Sequence, residues 1–285
     1  MNVMRGFFIG MLFVTACSAE PTQGSETTIQ GTQQNTDKED RAKDKRNSLY
    51  TGFQSPVGMA YDQEGNLYVA NWSGGNVEKI NKNGGKSTFV DGLGSPAGLA
   101  FDHENNLYIA DYAKDLIYKV TEGKPAIFAS GLHTPTGITF SKTGDLLVAN
   151  RGSDEIVKIS PKGEIIQIVK GFQTPVGVIE DSKGNIYVSN YSGGISRVTP
   201  RGKVETVSTD FTTPGVGITV NEKDEIFAVD YGDGSVKQID QYGKITTVSQ
   251  KLSSPVGLLF NNNGNLYIAT WGDGKIYELG GLSNE

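Results

Sequence analysis

From residue 55 onward the apolar positions come in short runs, separated by turns rich in Gly, Asn and Asp. Residues 55–94 hold one full cycle: Ser55-Pro56-Val57-Gly58, an apolar run, a turn at Gly65-Asn66, the run Leu67-Tyr68-Val69-Ala70, a Gly-rich loop, and two more polar runs. The proline returns at Pro96, Pro135, Pro175, Pro214 and Pro255, in steps of 40, 39, 40, 39 and 41 residues. A period this regular marks a repeat architecture, in which no unit buries its faces alone.

Each unit predicts four short strands. The first lies at residues 58–61, 98–101, 137–140, 177–179, 217–220 and 257–260. The second lies at 66–70, 106–110, 145–149, 185–189, 225–229 and 265–269. These second runs of Leu, Ile, Tyr, Val and Ala barely alternate with polar residues, as befits strands buried on both faces. The third strand is more polar, and the fourth more polar still. Polarity rising in that order predicts sheets arranged radially, with the last strand at the rim. Gly-Asn and Gly-Asp pairs supply hairpin turns between the first and second strands. Asp62, Asp102 and Asp181 sit at those turns, where a carboxylate closes the loop through its own backbone.

Six units of four strands predict an all-β fold, a six-bladed β-propeller. The last unit ends early, with nothing beyond Leu279 that reads as a fourth strand. Residues 47–56 align instead with 166–175. A strand at 47–51 is therefore expected to complete the last blade and close the ring.

Pro-x-Gly followed by an apolar residue, Asp, Gly-Asn, Leu/Ile-Tyr-Val-Ala and Asn/Asp resembles the NHL repeat, across residues 48–280. The resemblance implies the propeller and leaves function open, because one fold hosts many activities.

The N-terminus is a different kind of sequence. Arg5, the apolar residues 7–14 and Val14-Thr15-Ala16-Cys17 resemble a bacterial lipobox. Domain boundaries follow: 1–16 a lipoprotein signal peptide, 17–46 a lipidated Cys17 with a disordered tether, and 47–285 the propeller. Cys17 is the only cysteine, which favours lipidation over an ordinary secretory signal cut near Ala19. The polar tether would reach on the order of 30 Å. Ser18 after the cysteine points to the outer membrane, facing periplasm or cell surface, with the membrane as partner through Cys17. A net charge of −6 gives no basic footprint for nucleic acid. A monomer is expected.

Two columns of residues should converge on one face, around the channel. The first is Asn71, Asp111, Asn150, Asn190, Asp230 and Thr270; the second is Trp72, Tyr112, Arg151, Tyr191, Tyr231 and Trp271. The first column would make the mouth polar, with Asp111 and Asp230 as the catalytic carboxylates if the protein is an enzyme. It has a second reading, as side chains that satisfy loop backbone. The second column suits sugar faces, peptides or cationic ligands, with Arg151 for a carboxylate or phosphate. It too has a second reading, as packing against the next blade.

Propellers of the senescence-marker and gluconolactonase group, which the repeats distantly resemble, hold a divalent metal with Asn or Asp between the Pro and the Gly. Here those positions are Val57, Ala97, Thr136, Val176, Gly215 with Val216, and Val256, so the ligand pattern is absent and no cofactor is expected, with a divalent metal in the channel left as the alternative. Streptogramin-lyase-like propellers use a histidine base, and this chain has only His103 and His133. The sequence therefore favours a binding or scaffold module, with a protein, peptide or carbohydrate ligand at an aromatic mouth. A gluconolactonase-like or lyase-like enzyme and a structural envelope protein are the alternatives.

Overall fold

A computed structural model describes residues 46–282. The signal peptide, Cys17 and nearly all of the tether lie outside the described residues, as do residues 283–285.

Six antiparallel four-stranded sheets follow one another along the chain. Blade 1 is Pro56–Tyr61, Leu67–Asn71, Asn76–Ile80 and Lys86–Val90. Each first strand begins at its proline, two residues earlier than the apolar run suggested and three earlier in blade 5. Burial follows the predicted radial order. Every residue of Leu67–Asn71 is buried, while Lys86–Val90 is exposed over its first three residues.

The ring closes as expected. Arg46–Tyr50 pairs antiparallel with Lys275–Leu279, in a register of Arg46 with Leu279 and Ser48 with Tyr277. The strand starts one residue earlier than anticipated. Arg46 anchors it further, donating from Nη1 to the Gln250 carbonyl at 2.6 Å. Just beyond, Phe53 N donates to the Gly274 carbonyl at 3.1 Å. The Phe53 ring packs with Met59, Tyr267 and Ile276, so the first and last blades share one core.

The apolar core is divided among the blade interfaces. One cluster joins Tyr68, Val77 and Val90 of blade 1 to Leu99 and Ile109 of blade 2; another joins Tyr108 and Ile117 to Leu146 and Val157. Each blade thus buries its faces only because both neighbours are present, which is the energetic meaning of the repeat.

The glycine of each Pro-x-Gly lies where two blades touch at the axis. A Cβ on Gly58 would fall on the Ala97 carbonyl, one on Gly98 on that of Thr136, and one on Gly257 on that of Val57. Six first strands approach this closely only without side chains at these points.

Candidate functional site

The mouth of the channel is built by the turn that follows each second strand. In five blades the backbone N–H of the first turn residue donates to the carbonyl of the residue before the proline. Trp72 donates to Ser55 at 3.1 Å, Tyr112 to Ser95 at 3.0 Å, Tyr191 to Thr174 at 2.9 Å, Tyr231 to Thr213 at 2.8 Å and Trp271 to Ser254 at 3.0 Å. In blade 3 a short 3-10 turn, Arg151–Ser153, places Arg151 at the same point.

These six side chains form a ring. The Trp72 centroid lies 4.6 Å from Tyr112 and 5.8 Å from Trp271, and Trp271 lies 6.4 Å from Tyr231. Arg151 fills the sixth place, its guanidinium carbon 5.8 Å from the Tyr112 centroid and 5.7 Å from that of Tyr191. Nη1 of Arg151 donates to the Tyr112 hydroxyl at 2.9 Å. Arg151 has no ion pair among the described residues. The Trp271 Nε1–H is buried without a hydrogen-bond partner among them. Between Tyr191 and Tyr231 no ring contact closes the circle, and Tyr191 is the exposed member. Beneath that gap blade 5 carries one extra residue, so that Gly215 and Val216 stand where other blades place one side chain.

The floor of the bowl is Val57, Thr136, Val176, Val216 and Val256, with Gly215. The bowl encloses about 220 Å³. A cavity of about 150 Å³ takes benzene, so the bowl accepts one fused-ring-sized group, and any larger ligand protrudes past the rim. The first column, by contrast, does not line the bowl. Asn71, Asp111, Asn150, Asn190, Asp230 and Thr270 are all buried. Asn71 Oδ1 accepts from Gln54 N at 3.2 Å, Asn150 Oδ1 from His133 N at 2.7 Å and Asn190 Oδ1 from Gln173 N at 3.2 Å. Asp111 accepts from the N–H groups of Gly94 and Ser95, and Asp230 from those of Thr212 and Thr213. The polar mouth expected from this column is therefore corrected. Five of its side chains staple their turn to the strand lead-in of the same blade, and the backbone donors occupy the carboxylates; in the last blade Thr270 Oγ1 instead bonds within its own turn, to Asp273 and the Lys275 carbonyl.

Asp230 also takes the Lys237 ammonium at 2.6 Å, and Lys237 reaches Asp233 at 2.9 Å. Burial works against ionisation of Asp230, but Lys237 and the two backbone donors outweigh it and hold the carboxyl below its usual range. Burial likewise opposes the Lys237 charge, and Asp230 with Asp233 raise its pKa above the ordinary value. Neither group is free for proton transfer. His103 is exposed in the hairpin turn at the far end of blade 2, and His133 is exposed beside Thr134. Neither lines the bowl. The turn carboxylates are structural as read: Asp62 accepts from Asn66 N and Nδ2, both at 2.7 Å, and from the Tyr68 hydroxyl at 3.1 Å.

The floor is not evident from residue type: between Pro and Gly the sequence shows only absent metal ligands, although the spacing of these residues sets them on the axis beneath the rim.

Solved structures share this fold at low identity. Streptogramin B lyase matches with a TM-score of 0.65 and 16% identity, over 83% of this chain and 96% of that one. A catalytically inactive histidine-to-alanine virginiamycin B lyase from Staphylococcus aureus, solved with quinupristin, matches with a TM-score of 0.66 and 18% identity, over 82% and 83%. A gluconolactonase from Xanthomonas campestris matches with a TM-score of 0.73 and 16% identity, over 82% and 88%. No curated protein matches the chain. Residues 45–282, the whole ring including its closing strand, match the virginiamycin B lyase family, and the chain belongs to that family.

Proposed function

We propose that this propeller is a binding module, exported and tethered through Cys17, that captures a flat apolar group bearing one carboxylate or phosphate. The apolar ring enters the bowl over Val57, Val176 and Val256. The anion meets Arg151 at the rim. The observation that carries this reading is Arg151 itself, a cation among aromatic rings and over an apolar floor, with no ion pair among the described residues. A guanidinium in such surroundings gains most from an ionised partner, because the medium is poor in competing water.

Family membership raises a second reading, a lyase. An elimination needs a base within reach of the proton removed, at about 2.6–3.2 Å or through one water. Neither histidine lines the bowl, and Asp111 and Asp230 are held by backbone N–H groups. The geometry therefore favours capture over cleavage.

The chain has only two tryptophans, and both stand in the rim. Intrinsic fluorescence accordingly reports the mouth. Titration with benzoate and phenyl phosphate should change it saturably, while benzamide and methyl glucoside should act more weakly. A response to none of the four would refute the binding reading.

A further inference from the structure

Closing the ring pairs the last blade, yet every blade still presents one outer strand to solvent. Five of the six outer strands carry the same device. In blade 1, Val77 pairs with Val90 and Glu78 with Thr88, so Phe89 is bulged out of register. Phe128, Val207, Val248 and Leu49 are bulged at the matching place in blades 2, 4, 5 and 6. The bulge turns Phe89, Phe128, Val207 and Val248 onto the neighbouring interfaces, where they are partly buried. It also bends the edge, which discourages pairing with another chain.

Blade 3 lacks it. Val169, Ile168 and Gln167 pair without a break with Ile156, Val157 and Lys158, and the irregularity is displaced to Ile166. Strand alternation then puts Ile168 outside, 49% exposed, alongside Ile165 at 42% and Ile166 at 51%. The other rims carry Lys86-Ser87-Thr88, Lys124-Pro125-Ala126-Ile127, Glu205-Thr206, Thr246-Thr247 and Asn47-Ser48; Ile127 is exposed as well, but Lys124 and Pro125 precede it and the bulge at Phe128 follows it. The matching stretch of blade 3 is Ile165-Ile166-Gln167-Ile168. Apolar and unguarded edges template strand pairing, and from Gln167 to Lys170 this one runs without a break.

The charges at its two ends select the occupant. Glu164 precedes the strand and Lys170 ends it; the Lys170 ammonium meets Glu155 of its own blade at 3.1 Å, yet its side chain stays 77% exposed and open to a second carboxylate. We infer that Ile165–Lys170 pairs antiparallel with the same strand of a second copy, about Gln167. That arrangement sets Glu164 of each copy beside Lys170 of the other, twice by symmetry, and apposes the isoleucines. A parallel pairing would set Glu164 beside Glu164. Two short strands bury less than the roughly 1,600 Å² of a standard stable interface, so the dimer is weak, and the monomer expected from the sequence is its dilute form.

The full-length chain tests this by disulfide trapping. Gln167→Cys places thiols near the twofold axis; Thr206→Cys and Thr246→Cys on other rims, together with the wild-type chain bearing only Cys17, set the background. Under mild oxidation Gln167→Cys should yield several-fold more homodimer than the controls. Adding Ile168→Lys should return it to background, with the melting temperature unchanged. Sedimentation velocity should show mass rising with concentration for the wild type and not for Ile168→Lys. Trapping at background level, trapping that survives Ile168→Lys, or adducts only with other proteins would each overturn the inference.

Discussion

Arg151 donates from Nη1 to the hydroxyl of Tyr112 at 2.9 Å, with its guanidinium carbon 5.8 Å from the same ring's centroid. One tyrosine of blade 2 therefore fixes the cation of blade 3 at both its edge and its face. Tyr191 adds a second ring at 5.7 Å. The charge is presented by aromatic neighbours and leaves its remaining donors for a ligand.

Replacing Arg151 by Gln should weaken benzoate and phenyl phosphate about 10- to 100-fold, the loss of one charge-assisted contact worth roughly 1.5–3 kcal/mol. Benzamide should bind the variant as it binds the wild type. Fluorescence titration separates these outcomes, because Trp72 and Trp271 remain in place. Equal loss for the anions and for benzamide would mean that Arg151 shapes the bowl without reading charge.

Lys237 and Asp230 make a different use of charge. Lys237→Met leaves the fully buried Asp230 carboxylate with only its backbone donors, and should cost about 3 kcal/mol, as breaking a buried pair does. Asp230→Asn should cost less, roughly 1.5–2 kcal/mol for one lost charged bond, since Asn71, Asn150 and Asn190 fill the same staple in other blades. The pair also sets a pH dependence. The folded-state pKa of Asp230 is lowered, so its stabilisation is fully present above the unfolded value of about 3.9 and fades as pH falls through the folded one. That of Lys237 is raised, so its share is complete below about 10.4 and fades as pH climbs further. Urea melts of wild type and Asp230→Asn across pH 3–7 should converge at the acid end; parallel curves would contradict the linkage.

Much of this was legible because the chain states each rule six times. Pro56 and Gly58 recur at fixed spacing, and only a radial array gives the glycine column a reason, backbone meeting backbone at the axis. The columns of Trp72 and Asn71 could be placed on one face by counting. Which of the two faces the channel could not be counted. It depends on whether Asn71 Oδ1 finds the Gln54 amide, a contact between residues 17 apart. The blade 3 edge was hidden for a similar reason. Ile168 reads like its counterparts until the register shows that no bulge turns it inward.

The glycine column gives a sharp test of geometry. Gly257→Ala would drive a methyl into the Val57 carbonyl, where two first strands are locked to their own blades. A cost above about 4 kcal/mol is expected, beyond the usual range for single substitutions. Gly280→Ala, where the nearest atom to the added methyl is Asn265 Oδ1 at 3.6 Å, should change little. Thermal melts of the two variants distinguish axial crowding from a generic effect of alanine.

The closing strand gives the last prediction. A chain beginning at residue 46 keeps Arg46–Tyr50, while one beginning at residue 54 loses that strand together with Phe53. The shorter chain leaves Lys275–Leu279 as a bare edge and opens the cluster of Met59, Tyr267 and Ile276 to water. Loss of the Phe53 ring alone should cost about 3–5 kcal/mol, and the strand's backbone bonds add to it. Each blade needs both neighbours, so the damage should spread: the melt should broaden as well as shift, with blades 6 and 1 exchanging amide protons first. Supplying residues 46–53 as a free peptide should restore part of the lost stability in proportion to its concentration. Identical melts for the two chains would mean that the ring is held by its blade interfaces alone.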